Sequence, residues 1–168
     1  MGYCGGTKAN PTYHNLGDHS ESIQIDFDPA RISYSQLVAE AMAQGSFGPA
    51  YSRQYRSVIF YHDQQQKRIA QEAGCPSLEP LGVFTRAEDY HQKYYLQQSS
   101  VVKDFYAMFP GDIAFTDATA TMRANAIVAG AMDRTRVEQL LPQLGVGEAT
   151  ARSLLRLAAE AQPGCGLR

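Results

Sequence analysis

Up to residue 22 the chain shows little periodicity and is rich in Gly, Asn, Thr, His and Tyr, so the stretch reads as loop. From Ser22 the pattern changes: Ile23, Ile25 and Phe27 alternate with Gln24 and Asp26, a period of two that predicts a half-buried strand, and Asp28-Pro29 stops it. Ser33 then stands as a helix N-cap with Gln36 at the capping-box position. Leu37, Val38, Ala41 and Met42 recur on one face of that helix, which Gly45 and Gly48-Pro49 end. Residues 57–61 are strand-forming by composition, residues 63–73 read as a helix broken by Gly74-Cys75-Pro76, and residues 81–84 as a strand fragment. Residues 87–98 read as a helix carrying Tyr90, Tyr94 and Tyr95, and residues 105–111 as loop.

The last third differs. Residues 116–131, 135–144 and 148–161 predict three Ala/Leu/Arg-rich helices joined at Asp133 and at Gly145-Val146-Gly147. The fold class expected is α/β, an α+β roll with a mixed sheet flanked by helices. Residues 1–110 form that part and residues 111–168 a small helical extension, with the boundary at Pro110-Gly111.

Composition narrows the functions. A chain of 168 residues with 44% apolar positions is long enough for a real core. Fifteen Lys and Arg against seventeen Asp and Glu leave a formal charge of −2, so there is no basic excess to drive general phosphate binding. No apolar stretch approaches the ~18 residues of a membrane span, and the first residues carry neither the basic nor the apolar segment of a secretory signal. Three scattered cysteines, Cys4, Cys75 and Cys165, make no disulfide framework, which points to an intracellular, cytoplasmic setting.

The loop before the first strand is dense in reactive side chains: Cys4, Tyr13, His14, Asp18, His19 and Glu21. Cys4, His14 and His19 as metal ligands have a spacing that matches no closed zinc pattern. Cys4 paired with His14 or His19 is chemically sound as a nucleophile, because a neighbouring imidazolium lowers a thiol pKa. The plainer alternative is a glycine-rich turn whose polar groups satisfy its own backbone. Glu21 stands directly before an apolar strand; a carboxyl withdrawn from water there keeps its proton more readily and suits a general acid, whereas an exposed one has no such role. Tyr51, Tyr55 and Tyr61 add phenols without a substrate assignment, and Tyr90 and Tyr94 at helical spacing read as packing elements. Gly145-Val146-Gly147 before Arg152 and Arg156 resembles a phosphate-holding hairpin, and equally an efficient turn between packed helices.

Several of these segments occur together in one known family. Gly2-Tyr3-Cys4-Gly5-Gly6, Asn10-Pro11-Thr12-Tyr13, His19-Ser20-Glu21, Phe27-Asp28-Pro29, Ile32-Ser33-Tyr34, Gln54-Tyr55-Arg56-Ser57, Phe60-Tyr61-His62 and Ala87-Glu88-Asp89-Tyr90-His91-Gln92 resemble, in order, peptide methionine sulfoxide reductase A (MsrA). The resemblance runs over roughly residues 2–98. It implies reduction of methionine-S-sulfoxide, free or in peptides, by a cysteine thiolate that becomes a sulfenic acid. A second cysteine resolves this as a disulfide that thioredoxin, or dithiothreitol in its place, reduces. No cofactor and no metal are implied, and the partners are thioredoxin and sulfoxide-bearing proteins or peptides. Glu21 is then the proton donor to the sulfoxide oxygen, and Tyr13 and Tyr55 orient that oxygen.

The same resemblance marks departures. The family's Gly-Cys-Phe-Trp element, with its nucleophilic cysteine, lies upstream of the Gly-Tyr-x-Gly-Gly segment at which this chain starts. The corresponding strand and helix are therefore expected to be missing, leaving exposed sheet edges. Ala50-Tyr51-Ser52-Arg53 stands where the family has Gly-Asn-Asp, without the acid. Cys4 is the candidate nucleophile in their place and Cys165 the candidate resolving thiol. The alternatives are a non-catalytic relative that keeps part of the sulfoxide pocket and, from another class, a nucleic-acid-binding protein using the Gly145-Val146-Gly147 hairpin.

Overall fold

The computed structural model describes residues 1–45, 47 and 52–161. The chain is α/β and forms two compact units, Met1–Glu88 and Asp89–Arg168; the change in composition at Pro110-Gly111 lies inside the second. Among the described residues no helix is long and apolar enough to cross a membrane.

The first unit is built on strands of two or three residues. β1 (Gly2–Cys4) is the middle strand of an antiparallel sheet between β2 (Ser20–Ser22) and β5 (Thr85–Arg86). Tyr3 lies opposite Glu21 and Thr85, and Cys4 opposite Ser20. Side chains alternate across a strand, so Tyr3, Glu21 and Thr85 share one face while Cys4 and Ser20 share the other. Tyr3 is fully buried and packs with Leu16 and Ala87. The residues after β1 need glycine: Gly5 sits at φ +78°, and a Cβ on Gly6 would lie 2.6 Å from Asp18 Oδ1.

The second sheet of this unit is a parallel pair, β3 (Ile59–Tyr61) with β4 (Leu78–Pro80), connected through helix α2 (Gln64–Glu72). Asp63 caps α2 by accepting the Gln66 N–H at 2.8 Å. Helix α1 (Tyr34–Gln44) carries the expected capping box: Gln36 N–H donates to Ser33 Oγ at 3.3 Å and Ser33 N–H to Gln36 Oε1 at 2.9 Å. Val38, Ala70 and Cys75 form the small core between them. Gly48-Pro49, read as the stop after this helix, lies outside the described residues.

Two strand expectations in this unit are corrected. Residues 23–27 join no strand pairing; β2 ends at Ser22, and Ile23 and Ile25 are 74% and 52% exposed. Their alternation fits a strand, but β1 is spent after three residues and offers no further ladder to pair with. Residues 81–84 are the link between β4 and β5 rather than a strand, with Val83 exposed.

In the second unit, the helix expected over residues 87–98 is broken. A 3₁₀ turn, Asp89–His91, is followed by Lys93 at φ 50° and by the one-turn α3 (Tyr94–Gln97). The Gln97 side-chain amide donates to the carbonyls of Asp89 (2.7 Å) and Gln92 (2.6 Å), the first of which also takes the Gln92 N–H of the 3₁₀ turn (3.0 Å). Residues expected as loop hold α4 (Val102–Met108), because Phe105 is drawn fully into the core. The helix expected over 116–131 is two, α5 (Asp112–Asp117) and α6 (Thr119–Val128), divided at the extended Ala118; Thr121 Oγ1 lies 2.5 Å from the Phe115 carbonyl and 2.7 Å from that of Ala118, its one hydrogen shared between them. α7 (Arg134–Leu140), capped by Asp133, and α8 (Glu148–Glu160) complete the unit. Its core joins Leu96, Phe105, Phe115, Ile127, Val137, Leu144 and Leu154, with Tyr106 stacked on Phe115 at 4.1 Å between ring centres.

Truncating Leu154 to Ala is expected to cost about 2–5 kcal/mol, the range for emptying a fully buried leucine site, while Arg152→Ala on the exposed side of the same helix changes stability by less than about 0.5 kcal/mol. Urea unfolding of the two variants checks the contrast.

Candidate functional site

The site assembles where a turn crosses the outer edge of β2. The Glu21 N–H donates to the Gln54 carbonyl at 3.0 Å, and Gln54 Nε2 donates to Glu21 Oε1 at 2.6 Å. One residue earlier, Ser20 Oγ donates to the Arg53 carbonyl (2.8 Å) and accepts from Arg56 Nε (2.7 Å). Arg53 reaches on, donating through Nε to the Asp18 carbonyl (2.7 Å) and through Nη2 to that of Gly5 (2.9 Å). The turn at Gln54-Tyr55 matters: in a straight strand consecutive side chains point apart, but here Gln54 meets Glu21 while Tyr55 lies within electrostatic reach of Tyr13 and Glu21. Tyr13 chiefly, with partial desolvation and the charge of Glu21 adding less, raises the Tyr55 phenol above its ordinary pKa. Tyr55 is 61% exposed, so this face is open to solvent.

Tyr13 is held from behind. Its N–H donates to Glu88 Oε1 at 3.0 Å, and Glu88 Oε2 accepts from the buried Tyr3 hydroxyl at 2.6 Å. The Thr12 and Asn15 backbones close the turn around it at 3.0 and 3.4 Å, and its ring meets that of His14 edge-on at 5.3 Å. Tyr55 is thus within electrostatic reach of both Tyr13 and Glu21, with Gln54 bonded to the Glu21 carboxyl.

The neighbouring reactive residues do other work. His19 is buried, its Nδ1 accepting from Gly6 N–H (3.3 Å) and its Nε2 donating to the Lys8 carbonyl (2.9 Å). Asp18 accepts from the N–H groups of Thr7 (2.8 Å) and Lys8 (3.1 Å) and from the Thr7 hydroxyl (2.9 Å), which hold its carboxyl far below the usual carboxylate range. Among the described residues no three His, Cys, Asp or Glu side chains gather as a metal site. The loop matches the glycine-rich turn satisfied by its own polar groups.

The thiols lie elsewhere. Cys4 is fully buried and faces the opposite side of β1 from Glu21, beside Ser20, Gly82 and the Arg56–Glu79 ion pair. Burial pushes its thiol up; the backbone groups of Gly82 and Gly5 and the Arg56 guanidinium pull the other way with less effect. Cys75 is buried, its Sγ 3.4 Å from the Ser77 carbonyl. Cys165 lies outside the described residues, as do Ala50 and Tyr51.

The hairpin at Gly145-Val146-Gly147 turns between packed helices: Gly145 sits at φ +71°, Leu144 and Leu154 are buried on either side, and Arg152 and Arg156 pair with Glu148 (3.3 Å) and Glu160 (3.9 Å) on their own helix. Two residues of the site were not singled out by sequence reasoning, Gln54 and Glu88. Each adjoins or lies within a quoted motif, Gln54 before Tyr55 and Glu88 within Ala87-Glu88-Asp89-Tyr90, and those motifs were the available signal.

Comparison with known proteins defines the class. A family model described as peptide methionine sulfoxide reductase matches residues 1–122. The chain is 38% identical over 115 residues to "Peptide methionine sulfoxide reductase A5" of Arabidopsis thaliana, covering 58% of this chain and 45% of the relative. It is 39% identical over 111 residues to the Drosophila melanogaster "Peptide methionine sulfoxide reductase", with the same 58% and 45% coverage. To the "Peptide methionine sulfoxide reductase MsrA" of Methanothermobacter thermautotrophicus it is 37% identical over 117 residues, covering 56% of this chain and 69% of the relative. The chain belongs to the peptide methionine sulfoxide reductase family. It spans about half the length of the first two of these relatives.

Two measurements follow from the loop and the thiol. Because the Asp18 carboxyl is lowered on folding, its stabilisation is complete above the unfolded value of about 3.9 and fades as pH falls from there towards the folded value. Asp18→Asn should therefore lower Tm at pH 7, with the gap to the parent narrowing below about pH 4. Cys4, closed off and kept protonated, should react with dithiodipyridine orders of magnitude more slowly in the native protein than in denaturant, with labelled positions read by mass spectrometry. Equal rates would mean that the β1–β2 pair opens readily.

Proposed function

We propose that the chain acts on methionine-S-sulfoxide, in the manner of its family. The observation that supports the reading is the exposed turn at Gln54-Tyr55, which joins Gln54 to the Glu21 carboxyl and sets Tyr55 within electrostatic reach of Tyr13 and Glu21. A sulfoxide oxygen is a poor leaving oxygen until it is hydrogen-bonded or protonated. On this reading Tyr13 and Tyr55 hold that oxygen and Glu21 gives it a proton. A cysteine thiol attacks the sulfoxide sulfur, the oxygen passes to the cysteine as sulfenic acid, and methionine leaves. A second thiol then displaces water to form a disulfide, which thioredoxin reduces. Cys4 and Cys165 are the thiols proposed for these steps, in the reducing cytoplasm that the free cysteines suit.

One observation favours a second reading, a family member that binds the sulfoxide without turning it over. Cys4 is buried on the other face of the sheet from Glu21, so attack by its sulfur would require the β1–β2 pair to open.

Turnover of a peptide bearing methionine-S-sulfoxide, with dithiothreitol as reductant, tests both beside Cys4→Ser and Cys165→Ser. Activity abolished by Cys4→Ser establishes the reductase. Binding of the sulfoxide peptide by calorimetry, without turnover and weakened at least about tenfold by Tyr55→Phe with Glu21→Gln, establishes the binding reading, since lost hydrogen bonds to a held oxygen each cost roughly 1 kcal/mol or more. Neither activity nor binding would sink both.

A further inference from the structure

We infer that Gln54 is a positioning residue that decides which oxygen of Glu21 carries the transferable proton; the inference rests on the sulfoxide reading above. Gln54 and Glu21 are joined twice, by the Glu21 N–H to the Gln54 carbonyl (3.0 Å) and by Gln54 Nε2 to Glu21 Oε1 (2.6 Å). The backbone bond straps the turn to β2 whatever side chain stands at position 54. The side-chain bond does something separate. An amide N–H only donates, so Oε1 is committed as an acceptor, and the carbonyl oxygen of a neutral carboxyl is the better acceptor of its two. When Glu21 is protonated its hydrogen therefore sits on Oε2. The next residue of the same turn, Tyr55, lies within electrostatic reach of Tyr13 and Glu21. A single two-residue turn thus aims the proton donor and places one of the oxygen ligands. Without Gln54 the carboxyl can rotate and present either oxygen, and a share of encounters meets the wrong one.

The side-chain amide of Gln54 can be followed by NMR in the ¹⁵N-labelled full chain while pH is lowered, with Glu21→Gln as the reference. Alongside, kcat and KM are measured for a methionine-S-sulfoxide peptide with dithiothreitol, in the parent and in Gln54→Leu. The Gln54 amide signals should titrate in the parent and not in Glu21→Gln. Gln54→Leu should keep the parent's melting temperature and KM while kcat falls at least about tenfold, part of the ~10²–10⁴-fold a general acid contributes. An amide that ignores Glu21, or a Gln54→Leu variant with the parent's kcat, overturns the inference. A parent inert towards the sulfoxide counts against the functional reading instead, and the amide titration, which needs no turnover and no variant at position 54, still decides whether Gln54 holds Oε1.

Discussion

The pairing of β2 with β1 sets what the first unit can do chemically. With Tyr3 opposite Glu21 and Cys4 opposite Ser20, the carboxyl and the thiol are sent to opposite faces by strand geometry alone. A shift of one residue would bring Glu21 round to the face of Cys4, and what prevents it is the set of bonds on either side of the strand. Ser20 is fixed by Arg53 and Arg56, Glu21 by the backbone carbonyl of Gln54, and Asp18 by Thr7 and Lys8. The strand is three residues long, yet its register is held by partners that lie 10 to 36 residues away.

The two units stand on different physics. The second has a continuous apolar core in which a stacked Tyr106–Phe115 pair and buried Leu96, Phe105 and Leu154 draw short helices together. The first has two small apolar clusters, one around Tyr3 and one around Val38, and relies on polar bonds of defined direction between them. Such bonds add little net stability each, but they specify angles that apolar packing leaves loose. The exposed turn at Gln54-Tyr55 is held in this second way.

What could be read from the sequence followed the range of the interaction responsible. Ser33 with Gln36 acts within one helical turn, and that cap was legible as a pattern three residues apart. Residues 105–111 were not, because Phe105 is helical for the sake of a core drawn from distant segments. Residues 87–98 carried a helical pattern, and the break at Lys93 comes with a glutamine side chain satisfying carbonyls ahead of it. Within the site, Glu21 stood out as an acid at a strand start, and Tyr13 and Tyr55 through their motifs. Gln54 and Glu88 act across 33 and 75 residues, a separation over which no local pattern speaks.

The open stretch after Ser22 has a consequence for how the protein behaves in company. Ile23, Ile25 and Phe27 in alternation are the kind of edge on which a second chain can zip, and two of the three project well into water. Asp26 and Asp28 are spaced along that same stretch and are exposed. Charges set into a sticky edge act as gatekeepers, since an incoming strand would have to strip their water without offering a counter-charge. The segment can lie unpaired because its own aspartates make it a poor template for aggregation, so the two acids guard the colloidal state of a protein whose chemistry they never touch.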